Sequence, residues 1–254
     1  MSITIILPLI SAIFVFFLSL FVYLKNKKAR VNFTFFLHSI SITIWLFATF
    51  MMFLSKGDRE AAIFWDRFVY MGVVFIPVFM YHFGLSFMQK KRDFLLYLGY
   101  VLSIIFLILS QTKYFVDDVF VYRWGIHTKA QFFHHIFLIY FVSYVIIWFV
   151  KMFKYYKNLQ TPALKQQAKY IFIGFLCLFT IGPMAYLPAY GIGIYPFAYI
   201  SGLIFTIIVG YAIVVHRLMD IKMVMKRYLV HFLSFVAIIL IVVIIKYLIT
   251  RFLS

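Results

Sequence analysis

Charged residues are scarce in this chain. Only 12% of its 254 residues are Asp, Glu, Lys or Arg, whereas 66% are hydrophobic. A soluble domain of ordinary composition is about a quarter charged and about half apolar, so a water-soluble globular fold is excluded. Apolar runs recur along the chain, each long enough to cross a ~30 Å hydrocarbon core. In lipid such runs must satisfy their own backbone groups as helices, and the sequence therefore predicts an all-α integral membrane protein.

Cysteine and acidic residues are also nearly absent. Cys177 is the single cysteine, so a framework of intrachain disulfides is excluded. Seven acidic residues stand against 24 Lys and Arg, which gives a net charge of +17. No acid lies in the middle of an apolar segment. The basic residues gather in loops beside these segments, so the bilayer, and not nucleic acid, is the expected partner of the positive charge.

Eight apolar segments cover most of the chain. We expect the first seven to form a seven-transmembrane bundle within residues 1–225, and residues 226–254 to add a C-terminal transmembrane helix. The first segment has no basic region before it and no cleavage pattern, so it is interpreted as a retained helix. The predicted segments are 3–24, 33–54, 64–88, 94–111, 132–150, 170–189, 197–216 and 229–250.

The distribution of cations predicts the orientation. The connections after the first, third, fifth and seventh segments hold sixteen of the 24 Lys and Arg. Cations in short loops favour the cytoplasm, so the N-terminus is expected outside and the end of the seventh segment inside. The longest outer connection, residues 112–131, contains VFVYRWG and is predicted to form a short extended or hairpin element.

Three prolines interrupt the apolar segments. Pro77 lies in the middle of the third segment, and Pro183 and Pro188 lie in the outer half of the sixth. A proline removes a helix hydrogen bond and clashes with the carbonyl four residues back, so a kink is predicted at each position. A purely structural role in shaping the bundle is the alternative to a functional one.

Several stretches resemble the N-terminal seven-transmembrane sensor region of bacterial histidine kinases. The third-segment sequence WDRFVYMGVVFIPVFMYHFGLSF is similar to the third-helix signature of that family. Further stretches resemble its outer loop and fifth helix, its cytoplasmic start of helix six and its exit from helix seven. The matching positions are Trp65, Arg67, Gly72, Pro77, Phe83, Trp124, Gly125, Tyr140, Gln167, Gly174, Tyr211 to Ile213, His216 to Leu218, and Asp220 with Ile221.

The resemblance implies a multi-pass receptor of the bacterial cytoplasmic membrane. Its ligand, a small molecule or a peptide, is read from outside or within the bundle, and helix motion passes to a cytoplasmic kinase or other output. The predicted signal exit is His216, Arg217 and Asp220. No kinase sequence follows, so the output is expected from the rest of a longer receptor or from a separate protein, and a homodimer is one arrangement that fits.

The adjacent Asp66 and Arg67 stand at the outer end of the third segment. Arg67 has two interpretations: an interfacial anchor, or an inward side chain that binds an anionic ligand group. Neighbouring helical residues diverge by about 100°, so both cannot face one pocket, and Arg67 is preferred because it matches the family motif. The remaining predicted ligand contacts are Trp45, Trp65, Tyr70, His82, Trp124, Tyr140 and Tyr186.

Other functions receive less support from the sequence. A small-solute transporter or channel is the alternative, because it would use broken helices, but it would also favour ionisable groups at mid-membrane. No nucleophile and base, paired carboxylates or other catalytic set is recognised, so no enzyme activity is expected of this chain. His127, His134 and His135 lack the spacing of helical metal ligands, so no metal and no cofactor are predicted.

Overall fold

The computed structural model describes residues 3–195, 197–216, 230–242 and 245. Helices dominate, and a single two-stranded sheet is present among these residues. The α-helices are α1 (Ile3–Lys25), α2 (Arg30–Leu54), α3 (Arg59–Val73), α4 (Ile76–Phe87), α5 (Phe94–Ser110), α6 (Phe132–Asn158), α7 (Pro162–Ile181), α8 (Ser201–His216) and α9 (Val230–Val242).

Five helical stretches are long and apolar enough to cross a membrane. Three shorter apolar helices, Phe94–Ser110, Phe197–Ile213 and Val230–Val242, accompany them. The prediction of an all-α membrane bundle is thereby confirmed. The five long stretches are Thr4–Lys25, Arg30–Leu54, Arg59–Phe87, Phe132–Asn158 and Pro162–Tyr190.

Helix starts follow local capping chemistry. Asp58 caps α3 by accepting a hydrogen bond from the Ala61 N–H at 3.0 Å, and Asp93 caps α5 by accepting one from the Leu96 N–H at 3.1 Å. Such side chains satisfy a backbone donor that has no partner within the helix. Pro162 starts α7, a position where a missing N–H costs nothing.

The third apolar segment is broken in two. Regular helix stops after Val73 and resumes at Ile76, so that Pro77 lies in the first turn of α4. The Ser103 hydroxyl of α5 donates a hydrogen bond of 3.0 Å to the Val74 carbonyl. A backbone acceptor at the break is therefore satisfied by a neighbouring helix, as the apolar surroundings require.

The sixth segment changes helix type where a kinked α-helix was expected. After Ile181 the chain continues as a 3₁₀-helix, Gly182–Tyr190, which holds both Pro183 and Pro188. Two prolines this close deny the α-helix successive hydrogen bonds and crowd the preceding turn. The tighter 3₁₀ form is the result, and it ends at Gly191, whose φ of 82° suits glycine.

A hairpin caps one end of the bundle. Strands β1 (Val116–Val121) and β2 (Ile126–Ala130) pair antiparallel, with a bulge between Asp117 and Val119. The predicted outer element at 112–131 is thus a β-hairpin. The Trp124 Nε1–H donates to the Gly193 carbonyl at 3.0 Å, and the Tyr195 hydroxyl donates to the Thr4 carbonyl at 2.8 Å. The N-terminal helix therefore begins at the hairpin end of the bundle.

Close helix approaches rely on two glycines. A Cβ at Gly72 of α3 would lie 2.5 Å from the Ser41 carbonyl oxygen of α2. A Cβ at Gly84 of α4 would overlap the Trp148 indole of α6. These contacts fix both halves of the broken segment against their neighbours.

The C-terminal helix α9 packs on the bundle. Phe232 of α9 lies with its ring centroid 5.2 Å from that of Phe14 in α1. Leu233 fills the space beside Gly210 of α8. The division into residues 1–225 and 226–254 stays a prediction. In the predicted signal exit, Arg217 and Asp220 lie outside the described residues, as does the side chain of His216 at the end of α8.

Candidate sensory site

A cavity lies inside the bundle near the hairpin end. The volume of the cavity is about 40 Å³. A few waters fit, since each needs about 10–15 Å³ on this measure. Its walls come mainly from α2, α3, α7 and the 3₁₀-helix. The lining side chains are largely apolar or aromatic, with the carboxyl group of Asp66, the hydroxyl of Thr49 and the imidazole of His127 among them.

Of the described residues that line this cavity, Asp66 alone is an Asp, Glu, Lys or Arg. It is 1% exposed, and its Oδ2 accepts a hydrogen bond from the hydroxyl of the fully buried Thr128 on β2. The other carboxyl oxygen receives no hydrogen bond from the described residues. His127 is also buried beside it. A buried carboxyl group that lacks a full set of donors is costly, so this oxygen is an open acceptor site.

Arg67 does not line this cavity. The turn of about 100° between neighbours directs Asp66 inward and Arg67 to another side of α3, where it lines a separate groove. Nothing in the sequence fixes the rotation of α3. The acidic neighbour of Arg67 therefore enters the cavity, and a ligand-binding role for Arg67 stays a prediction.

Three of the other predicted ligand contacts do line the cavity. They come from three separate elements and meet around Asp66. Trp45 comes from α2, Tyr70 from α3 and Tyr186 from the 3₁₀-helix. Tyr70 follows Asp66 by four residues and so shares its helix face. The three rings give the cavity a broad apolar wall.

Four predicted contacts lie elsewhere. Trp65 packs against Phe47, Phe64 and Phe68 on the outside of α3. His82 pairs its Nδ1 with the Tyr100 hydroxyl at 2.7 Å between α4 and α5. Trp124 lies in the hairpin turn, where it stacks on Tyr122. Tyr140 lies between α5 and α6, where its hydroxyl is 2.8 Å from that of Ser103. These side chains serve packing and helix bridging in the described arrangement.

A family model described as the N-terminal 7TM region of histidine kinase matches residues 7–222. The chain belongs to this family. Comparisons with curated proteins and with solved structures give no match. Membership makes the chain a multi-pass membrane protein with the sensor region of a signal-transduction histidine kinase.

The sensor region holds its hairpin in place through several contacts. The Tyr122 hydroxyl donates to the Pro188 carbonyl of the 3₁₀-helix at 2.7 Å. On the other side, Arg59 pairs with Asp118 at 3.2 Å, and Lys129 pairs with the same residue at 2.6 Å. These hydrogen bonds from Lys129 and Arg59 hold the pKa of Asp118 below its usual range. The hairpin thus connects α3 to the 3₁₀-helix above the cavity.

A polar cluster connects α4, α5 and α6 in the half of the bundle away from the hairpin. The Tyr81 hydroxyl donates to Asp93 Oδ2 at 2.6 Å, and the Lys151 ammonium donates to Tyr81 and, at 2.8 Å, to Asp93. Partial burial would raise the pKa of Asp93, but the hydrogen bonds from Lys151, Tyr81 and the Leu96 N–H outweigh it and leave that pKa below its usual range. The helices α4 and α6 are therefore tied together.

Sequence reasoning missed Asp66 and His127 as cavity residues, and Thr128 as the hydrogen-bond partner of Asp66. Asp66 was visible as one of seven acids, next to a long uncharged stretch. Thr128 and His127 gave no local signal, because their role depends on how the hairpin folds onto α3. No group of three or more metal-binding side chains occurs in the described part of the chain.

Proposed function

We propose that the chain is a sensor that recognises a small ligand in the cavity at Asp66. The ligand would carry a compact apolar or aromatic body and a hydrogen-bond donor, such as an amine or a hydroxyl group. The aromatic wall formed by Trp45, Tyr70 and Tyr186 would hold the body. The observation that carries the proposal is the buried Asp66 carboxyl group, with one oxygen bonded to Thr128 and the other without a donor among the described residues.

The small size of the cavity suggests how occupancy becomes a signal. A cavity of about 40 Å³ holds a few waters, but it is too small for an aromatic ring that carries an amine chain. A ligand of that size would therefore favour an arrangement in which the hairpin or the 3₁₀-helix lies farther from α3. A ligand that binds one arrangement more tightly shifts the population towards it.

The broken third segment offers a path for this change. Asp66 and Tyr70 lie on α3, while α4 begins just beyond the break at Val74 and Phe75. In its middle α4 carries Tyr81, which is bonded to Asp93 and to Lys151 of α6. We infer that displacement of α3 changes the angle at the break and moves the cytoplasmic ends of α4 and α6.

The finer organisation is proposed on the basis of the loop charges. The N-terminus and the hairpin would face outward, seven helices would form the sensor and α9 would add an eighth crossing. The chain would reside in the bacterial cytoplasmic membrane. It would act on a cytoplasmic kinase, fused or separate, as a monomer or a homodimer, with the enzymatic step belonging to that output. The described residues offer no observation that favours a transporter or channel.

Three matched probes test the ligand class. Phenethylamine, 2-phenylethanol and ethylbenzene share a ring and differ in the donor group. In thermal unfolding of the purified chain in detergent, we expect phenethylamine to raise the unfolding temperature most and ethylbenzene least. A ligand stabilises the folded chain more when it binds more tightly. Asp66→Asn should abolish the preference for the amine, whereas Asp118→Asn, an outer carboxylate outside the cavity, should retain it. An equal preference in wild type and Asp66→Asn would refute the site.

A further inference from the structure

A second site lies on the outside of α3, away from the cavity. It is a groove of about 430 Å³ between the outer end of α3, the end of α5 and the start of the hairpin. Its polar lining is Arg59, Glu60, Arg67, Gln111 and Asp117, and its apolar lining is Ile63, Phe64, Phe68 and Met71. This groove is separate from the cavity at Asp66 and does not depend on the function proposed for it.

The two arginines of the groove differ in their partners. Arg59 lies 3.6 Å from Asp117 and 3.2 Å from Asp118, so its charge is matched within the protein. The Nε of Arg67 is buried and has no hydrogen-bond partner among the described residues. A buried donor without an acceptor is costly, and a guanidinium presents a planar set of donors that fits phosphate or carboxylate. Arg67 thus forms no ion pair within 4.0 Å among the described residues, and its Nε–H is a donor left for an added anion.

The apolar side of the groove is exposed on the surface of α3, where we expect the bilayer to cover it. Phe64 precedes Arg67 by three residues and Met71 follows it by four, so all three lie on the same side of α3. The side chains of Phe64 and Met71 are 59% and 42% exposed. Exposed side chains of this kind on a membrane helix contact lipid chains. An anion that reaches Arg67 along this wall therefore comes with an apolar tail.

We propose that the groove binds a membrane phospholipid, with its phosphate on Arg67 and an acyl chain along Phe64, Phe68 and Met71. Gln111 does not compete for the phosphate, because its Nε2 donates to the Arg67 carbonyl at 3.2 Å and to Ser110 at 2.9 Å. Glu60 lies in the same groove and offers a carboxylate to a headgroup ammonium. Lipid bound here would rest against the outer end of α3, the helix that also carries Asp66.

Native mass spectrometry of the full chain tests this directly. The probes are phosphatidylglycerol and phosphatidylethanolamine, with diacylglycerol as the analogue without phosphate. We expect Arg67→Gln to weaken binding of both phospholipids about tenfold or more, as the loss of charge-assisted hydrogen bonds implies. Arg123→Gln, an exposed outer arginine in the hairpin turn, should bind as wild type does. Diacylglycerol should not distinguish Arg67→Gln from wild type.

Two further arms keep the outcome decisive. Phe64→Glu places a carboxylate three residues before Arg67, where it pairs with the guanidinium, so it should weaken phospholipid binding even if Arg67→Gln fails to fold. Inorganic phosphate should not displace the lipid. Unchanged phospholipid affinity in Arg67→Gln, or in Phe64→Glu, would overturn the proposal, and full displacement by inorganic phosphate would assign the groove to a soluble anion instead.

Discussion

The Thr128 hydroxyl of the outer hairpin donates a hydrogen bond to the Asp66 carboxyl group of α3. Both residues are almost completely buried, although 62 positions separate them in the chain. The bond therefore joins the hairpin at one end of the bundle to the wall of a cavity inside the bundle. Any ligand that meets Asp66 also meets the contact that holds the hairpin down.

Loss of this bond should destabilise the folded chain. Thr128→Val keeps the shape of the side chain and removes the donor, which leaves a buried carboxyl oxygen without its partner. We expect a loss of about 1–3 kcal/mol in the free energy of unfolding, measured by thermal or denaturant unfolding in detergent. The control is Thr180→Val, an exposed threonine whose hydroxyl bonds within its own helix at 2.7 Å. Equal stability of the two variants would contradict a bridging role for Thr128.

The contact between α2 and α3 should tolerate no side chain at Gly72. Its Cβ would lie 2.5 Å from a backbone oxygen and 2.9 Å from the Ile44 Cβ, and backbone cannot rotate away. We expect Gly72→Ala to cost about 1–3 kcal/mol in the same unfolding measurement. Gly182→Ala is the matched helical control, because its nearest contact is 3.8 Å. A Gly72→Ala protein as stable as the control would show that α2 and α3 do not pack this closely.

Stability should depend on the charge of Asp93 in acid. Because the pKa of Asp93 is lowered in the folded chain, its contribution is present above the ordinary value of 3.8 and is lost as the pH falls through the folded value. Asp93→Asn should therefore be less stable than wild type at pH 6, and the difference should shrink below about pH 4. The side chain is 36% exposed, so solvent screening limits the effect to about 1 kcal/mol.

The control for Asp93 is another helix cap. Asp58→Asn alters an N-cap aspartate that lacks the lysine and tyrosine partners of Asp93 in the described structure. At pH 6 we expect Asp93→Asn to lose more stability than Asp58→Asn, because Asp93 also bonds Lys151 and Tyr81. The ion pair with Lys151 would be excluded as the cause if both variants lost the same stability at that pH.

The hairpin should loosen when its bond to the 3₁₀-helix is removed. Burial raises the pKa of the Tyr122 hydroxyl, which stays protonated and donates to the Pro188 carbonyl. In Tyr122→Phe we expect faster hydrogen exchange of the β1 and β2 amides, with exchange in α2 unchanged. Tyr114→Phe, an exposed tyrosine just before β1, should leave hairpin exchange as in wild type. Unchanged hairpin protection in Tyr122→Phe would refute this attachment.

Much of the architecture was predictable because it depends on local properties. The length and polarity of the apolar segments predict the helices, and VFVYRWG predicts the outer hairpin. The inward position of Asp66 was not predictable, because the 100° rule separates Asp66 from Arg67 without saying which faces the bundle. That choice depends on Thr128, which becomes its neighbour only after the hairpin has folded over α3.

The prolines show the same division between local and tertiary information. Pro77 and Pro183 predict interruptions at the correct places, since each denies the backbone a donor. Whether the chain then breaks, as at Val74, or tightens into a 3₁₀-helix, as after Ile181, depends on the partners nearby. Ser103 supplies such a partner at the first site.

Filling the cavity should move the far ends of α4 and α6, which the bond between Tyr81 and Lys151 joins, relative to the neighbouring end of α7. Spin labels at Lys91 and Lys165, both exposed at that end, report this distance in a Cys177→Ser background in bilayers. Ala185→Leu fills the cavity from the 3₁₀-helix without any ligand, and Ala189→Leu, buried in the same helix but outside the cavity lining, is the control. We predict a shifted distance distribution with Ala185→Leu alone. Identical distributions in wild type and Ala185→Leu would contradict the account.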